Sequence, residues 1–176
     1  MASDFPTTTP DDGAVADGPG PPADPSDGDW VEVYRRSLYA FAAPAGVWRG
    51  FALDGDAPEL AGLAGTVCLI TAWNPDSREM PLEWNLEANR RLAEALDAAG
   101  VAYTSAWGGS LPGVEPAWRE DGFALHGLDR GTALEWGRCA RQRALVWLEP
   151  GLAGLLFCAD GSLVRCGVRE MAVEPG

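Results

Sequence analysis

Apolar positions change their period from segment to segment along the chain. Val67 to Ile70 is a continuous apolar run of the kind found in strands covered on both faces, and it leads directly into Thr71-Ala72-Trp73-Asn74-Pro75-Asp76-Ser77. Pro75 fixes a turn there, and Asn74, the residue before it, is expected in extended geometry. Asn74 and Ser77 therefore stand at the strand's carboxyl end. They either brace a strand-to-helix turn, which is the plainer reading, or contact a ligand.

The next segment has helical period. It runs from Leu82 to Ala99, with Pro81 suited to the first helical position and Gly100 to the stop. At about 100° per residue, Leu82, Leu86, Leu92, Ala93 and Leu96 form one face, and Glu83, Glu87, Arg90, Glu94 and Asp97 the other. Asn85 and Asn89 fall inside the apolar face, one turn apart. A buried polar group left unpaired costs ~1–3 kcal/mol, so both amides need partners, either in an internal network that ties the helix to the turn at Asn74 or in a ligand.

The flanking segments predict strands and turns. Residues 31–42 include an opening strand, Pro44 to Gly46 a turn, and Val47 to Leu53 a returning strand broken by Asp54-Gly55-Asp56, with a short helix from Pro58 to Leu63. Val101 to Trp107 reads as a core strand, Gly108 to Pro116 as a loop, and Phe123 to His126 as a further strand. A helix capped by Asp129 or Thr132 ends at Gln142, which opens the strand Arg143 to Leu148. A hairpin joins Leu155–Ala159 to Leu163–Val168 across Asp160-Gly161.

The central order is strand, helix, strand, strand, helix, strand. It predicts one α/β (α+β) domain with a mixed or antiparallel sheet, a ferredoxin-like split β-α-β core, extra terminal strands and two main helices on one face. In that topology Asn74, Asn85, Glu120 and Gln142 converge at one end of the sheet, which makes that end the candidate site.

Charge narrows the partners. The chain of 176 residues has a formal net charge of -13, and residues 1–29 hold seven of its 26 acidic residues and none of its 13 basic ones, all arginine, leaving the remainder at -6. Such acidity disfavours nucleic acid and anionic membrane surfaces as partners. Residues 1–29 are Pro, Gly, Asp and Thr with almost no large apolar side chain and are expected to be a disordered tail, with the domain spanning 30–176. No run is long and apolar enough for a membrane helix, and the amino terminus lacks a signal-peptide pattern, so a soluble cytoplasmic protein is expected. Cys68, Cys139, Cys158 and Cys166 show no metal or disulfide spacing and read as reduced thiols. No metal or cofactor is implied, and His126 reads as a strand-end side chain.

Two functions compete. In the first, Asn74, Asn85 and Gln142 orient a polar small molecule, Trp73 or Trp118 stacks on it, Ser77 lies beside it, and Glu120 is the one candidate general base. There is no nucleophile and base pair, no second carboxylate at recognisable spacing and no phosphate-binding glycine loop, which favours binding without chemistry and leaves enzymatic activity open. In the second, the eight tryptophans serve a protein-interaction module and the polar groups are a structural network. Tryptophans gathered round a concavity favour the first, and tryptophans spread over a flat patch favour the second.

Ile70-Thr71-Ala72-Trp73-Asn74-Pro75, Ser77, Asn85, Trp118-Arg119-Glu120, Phe123, Gly127 and Gln142, in that order and spacing, resemble a bacterial family known as domain of unknown function 3293. The resemblance covers roughly Tyr34 to Phe157 and implies one compact α/β domain. It points to Asn74, Ser77, Asn85, Trp118, Glu120 and Gln142, and no activity comes with it. Relative to the family pattern this chain has Pro81 for a serine cap, Gly122 for a serine, and Ala140-Arg141 for Phe-Gly before the glutamine. The last change removes a glycine suited to left-handed geometry.

Overall fold

A computed structural model describes residues 27–44 and 46–174. Of the expected tail, only 27–29 fall within it, at the start of a helix. The elements in chain order are α1 (Asp27–Arg35), β1 (Ser37–Ala42), β2 (Trp48–Ala57), β3 (Val67–Ile70), a single 3-10 turn (Pro75–Ser77), α2 (Leu82–Ala99), β4 (Tyr103–Ser110), β5 (Arg119–His126), α3 (Arg130–Cys139), β6 (Ala144–Glu149), β7 (Leu152–Phe157), β8 (Leu163–Arg165) and β9 (Val168–Met171).

All nine strands form one sheet in the order β8-β7-β6-β3-β5-β4-β1-β2-β9, with antiparallel pairing throughout. The protein is thus an α+β domain with an antiparallel sheet and three helices. The sheet is far larger than a four-stranded ferredoxin-like one, and it curls. Its two edge strands, β8 and β9, are separated in sequence only by Cys166 and Gly167. Consecutive α-carbons lie 3.8 Å apart, so that link spans at most about 11 Å. A flat sheet of this width would hold its edges about 38 Å apart at ~4.8 Å per strand. Gly167 closes the gap, its carbonyl accepting from Gly55 N–H at 3.1 Å.

Alternation along the strands separates two cores. Val67 and Leu69 of β3, Val146 and Leu148 of β6, and Leu155 of β7 point to the inner face, where they join Phe41, Phe51 and Val168. Cys68 and Ile70, Leu145 and Trp147, and Leu156 point outward to α2 and α3 through Leu92, Leu96 and Ala133. Both main helices therefore share one face, and α1 lies against the other through Trp30, Val31 and Tyr34. The opening strand expected within 31–42 is β1, and the residues before it belong to α1, where Trp30 and Tyr34 stand a helical turn apart.

Other expectations also change. β2 continues through Asp54-Gly55-Asp56, which the sequence reading took as a break, because it pairs with β9 across a register shift and Gly55 packs on the Val168 backbone; a Cβ there would lie 2.1 Å from the Val168 carbonyl oxygen. Pro58 to Leu63 forms turns with no helix. β4 extends over Gly108 to Ser110, part of the expected loop, and β5 begins at Arg119. On α2, Leu82 and Leu86 are 56% and 52% exposed, whereas Asn85, Ala88, Asn89, Leu92 and Leu96 are buried. The buried stripe is centred on the amides, and Leu86 stands about 100° from Asn85. Gly100 ends the helix in left-handed geometry at φ 68, as expected.

Candidate functional site

Strain marks the turn after β3. Asn74 has φ 48 and ψ 57, a left-handed conformation in place of the extended one expected before proline. Asp76 (φ 55), Ser77 (φ 60) and Arg141 (φ 53) share that region, and these four are the non-glycine residues with positive φ among the described residues. Such geometry costs a side-chain-bearing residue ~1–2 kcal/mol, least for Asn and Asp, so something must hold it. Side-chain bonds do so here. Asn74 N–H donates to Asn85 Oδ1 at 3.0 Å, while Asn74 Oδ1 accepts from Met80 N–H at 2.9 Å and from Asn85 Nδ2 at 3.1 Å. Asp76 N–H donates to the Arg141 carbonyl at 2.8 Å, and the two side chains form an ion pair. Arg141 therefore occupies the left-handed position that a glycine would hold without steric cost.

The two amides of α2 serve different ends. Asn89 Oδ1 accepts from Ala72 N–H at 2.8 Å and its Nδ2 donates to the Asp121 carbonyl at 2.6 Å, which also accepts from the Thr71 hydroxyl at 2.7 Å. That network is closed. Asn85 starts a chain that continues through Asn74, whose Nδ2 donates to Glu120 Oε1 at 2.6 Å. Glu120 sits on β5 opposite Gly108, and the second oxygen of its carboxylate, Oε2, has no partner among the described residues. Gly122, two residues on, lets β5 close against the end of β3, since a Cβ there would meet the Ile70 carbonyl oxygen at 2.3 Å.

The open chain ends in a cavity of about 320 Å³ on the inner face of the sheet. Its aromatic lining is Trp30 and Tyr34 from α1, Tyr39 from β1, Trp73 after β3, Trp107 from β4 and Trp118 before β5. Trp118 stands at the rim, 43% exposed. The indole Nε1 atoms of Trp30, Trp73 and Trp107 are buried without a hydrogen-bond partner among the described residues. Indole is a donor only, so each such atom lacks an acceptor. Gln142 Nε2 donates to the Trp73 carbonyl at 3.1 Å, and Arg143 lies 4.4 Å from the centre of the Trp30 ring while its Nε donates to Ser77 Oγ at 3.4 Å. Burial raises the Glu120 carboxyl above its ordinary value, offset in part by the Asn74 bond. Burial likewise pushes the Tyr34 hydroxyl up to about 12.

Of the residues singled out from sequence, Trp73, Asn74, Ser77, Trp118, Glu120 and Gln142 line the cavity. Asn85 does not; it stands behind the turn and holds Asn74. Trp30, Tyr34, Tyr39, Trp107 and Arg143 were missed. The Trp30/Tyr34 pair carried a helical signal, but Trp107 and Tyr39 are ordinary strand aromatics that only the curl of the sheet turns toward the cavity.

A family described as Protein of unknown function (DUF3293) matches residues 70–145. The matched segment belongs to that family. No curated protein and no solved structure matches the chain. The DUF3293 segment contributes the turn, Glu120, Trp118, Gln142 and Arg143, whereas Trp30, Tyr34 and Tyr39 lie outside it. The cavity is thus built jointly by the family segment and by the chain that precedes it.

His126 ends β5 away from this site, 2.9 Å from Thr104 Oγ1 through Nε2, and burial lowers its pKa. Among the described residues no three His, Cys, Asp or Glu side chains group as metal ligands, and no helix is long and apolar enough to cross a membrane.

Proposed function

We propose that the DUF3293 segment and α1 together form a binding site for a polar small molecule. The observation that carries this reading is the gathering of four of the eight tryptophans, Trp30, Trp73, Trp107 and Trp118, round one concavity that also holds Glu120. Small-molecule sites are typically apolar clefts of ~300–1,000 Å³ with a few convergent polar groups, and this cavity stands at the lower end of that range. A ligand with a donor group would meet Glu120 Oε2 on one side and the tryptophan rings on the other. An interaction module would instead display its tryptophans, and among the described residues only Trp118 of the tryptophans is largely exposed.

The site binds without chemistry in this reading. Glu120 and Glu79 are the carboxyls in its lining, and no lining hydroxyl is hydrogen-bonded to either among the described residues, so no activated nucleophile is assembled. The same reading takes β6, β3, β5 and β4 with α2 and α3 as a ferredoxin-like split β-α-β core, supported by their spatial order of fourth, first, third and second strand. It places the protein in the cytoplasm, with neither nucleic acid nor membrane as partner, supported by the net charge of -13.

Screening the full chain by thermal shift against mixtures of polar metabolites tests the site. A true ligand raises Tm with wild-type protein and loses most of that shift with Trp118→Ala, whose exposed position keeps stability within about 0.5 kcal/mol. Ligands that stabilise both proteins equally would place binding elsewhere.

A further inference from the structure

Resting on that reading, the geometry points to the class of ligand: we infer that the cavity takes a small organic cation, a protonated amine whose ammonium group pairs with Glu120 Oε2 against the aromatic wall. Glu120 is half-buried where the turn after β3 meets the cavity, and its hydrogen bond comes from a neutral amide, Asn74 Nδ2 at 2.6 Å. No ion pair reaches it among the described residues. A carboxylate that faces an apolar wall with one oxygen unpartnered gains from a cation there, because the wall returns less of its solvation than water does. The missing partner is positive.

The wall fits the same partner. Aromatic faces attract cations through the ring quadrupole, more strongly where water is excluded. Two rings already show it: the guanidinium of Arg143 lies 4.4 Å from the Trp30 centre and that of Arg119 lies 4.7 Å from the Trp107 centre. A net charge of -13 adds a long-range field that concentrates cations at the mouth.

The test uses three probes of one shape and different charge: tyramine, tyrosol and para-hydroxyphenylacetate. Each is titrated into the full chain at neutral pH, with calorimetry for affinity and the indole N–H resonances for location. Tyramine is expected to bind at least tenfold more tightly than the other two and to shift the resonances of Trp30, Trp73 and Trp107. Glu120→Gln is expected to remove that preference. Binding of tyrosol or para-hydroxyphenylacetate as tight as that of tyramine, with the same indoles shifted, would overturn the charge assignment and leave the small-molecule reading standing. Retention of the tyramine preference in Glu120→Gln would also overturn it. If none of the three moved a cavity indole, the inference would fall together with the small-molecule reading.

Discussion

Asn85 and Asn89 are one turn apart on the same helix, and they anchor two regions with opposite character. The Asn89 region is finished: its amide, the Ala72 N–H, the Thr71 hydroxyl and the Asp121 carbonyl satisfy one another. The Asn85 region is left open, because the chain through Asn74 ends at a carboxylate with one oxygen unpartnered among the described residues. Hydrogen-bonded buried amides are therefore not evidence of a site in themselves. What distinguishes a site is where the satisfaction stops.

The largest effect expected from breaking this comparison is on the closed side. Asn89→Leu leaves the Ala72 N–H and the Asp121 carbonyl short of a partner, and urea unfolding should show a loss of about 3 kcal/mol. Asn85→Leu strips the Asn74 N–H and one donor to Asn74 Oδ1, and should cost about 2 kcal/mol while loosening the left-handed turn. It should weaken binding of any cavity ligand as well, whereas Asn89→Leu at a temperature where it stays folded should weaken binding far less. Equal losses of binding in the two variants would erase the distinction.

A smaller effect of opposite sign is expected at Arg141. Arg141→Gly relieves the left-handed strain at φ 53 and gives up an exposed ion pair with Asp76. The exposed pair is worth ~0–1 kcal/mol and the strain ~1–2 kcal/mol. Glycine's extra unfolded-state freedom takes back part of the gain, so the variant should be more stable by no more than about 1 kcal/mol. A clear loss in thermal unfolding would mean that the Arg141 side chain does more for the turn than its ion pair.

Much of the site was legible in the sequence, and the reasons differ by residue. Asn85 and Asn89 stood out because amides in an apolar stripe conflict with the period around them. Asn74 and Glu120 are brought together by the strand, helix and strand order read from that periodicity. The cavity wall was not legible. Tyr39 and Trp107 face inward only because the sheet curls, and the curl depends on β9 pairing with β2 across more than a hundred residues, a contact with no local signature. The left-handed turn was hidden for a related reason: proline disfavours right-handed geometry before it, but the choice between extended and left-handed was made by Asn85 and Met80 through side-chain bonds.

The most direct measurement of the central claim, that Glu120 is a half-buried carboxylate with no cation paired to it among the described residues, is unfolding free energy of wild type and Glu120→Gln across pH 4 to 8. Glu120's folded pKa is raised by burial, so the folded state holds its proton more tightly than the unfolded state does. Wild-type stability therefore loses a contribution as pH rises from the ordinary carboxylate value through the raised one. Tyr34, at about 12, and Tyr39, pushed well above its usual value, do not titrate in that window, so the difference between the two proteins isolates Glu120. Glutamine keeps an oxygen for Asn74 and carries no charge. The variant is expected to gain on wild type as pH rises from 4 to 8, and the gain to vanish toward pH 4. A variant less stable than wild type at pH 8, with the deficit shrinking on acidification, would show that the carboxylate is already compensated and would contradict the account.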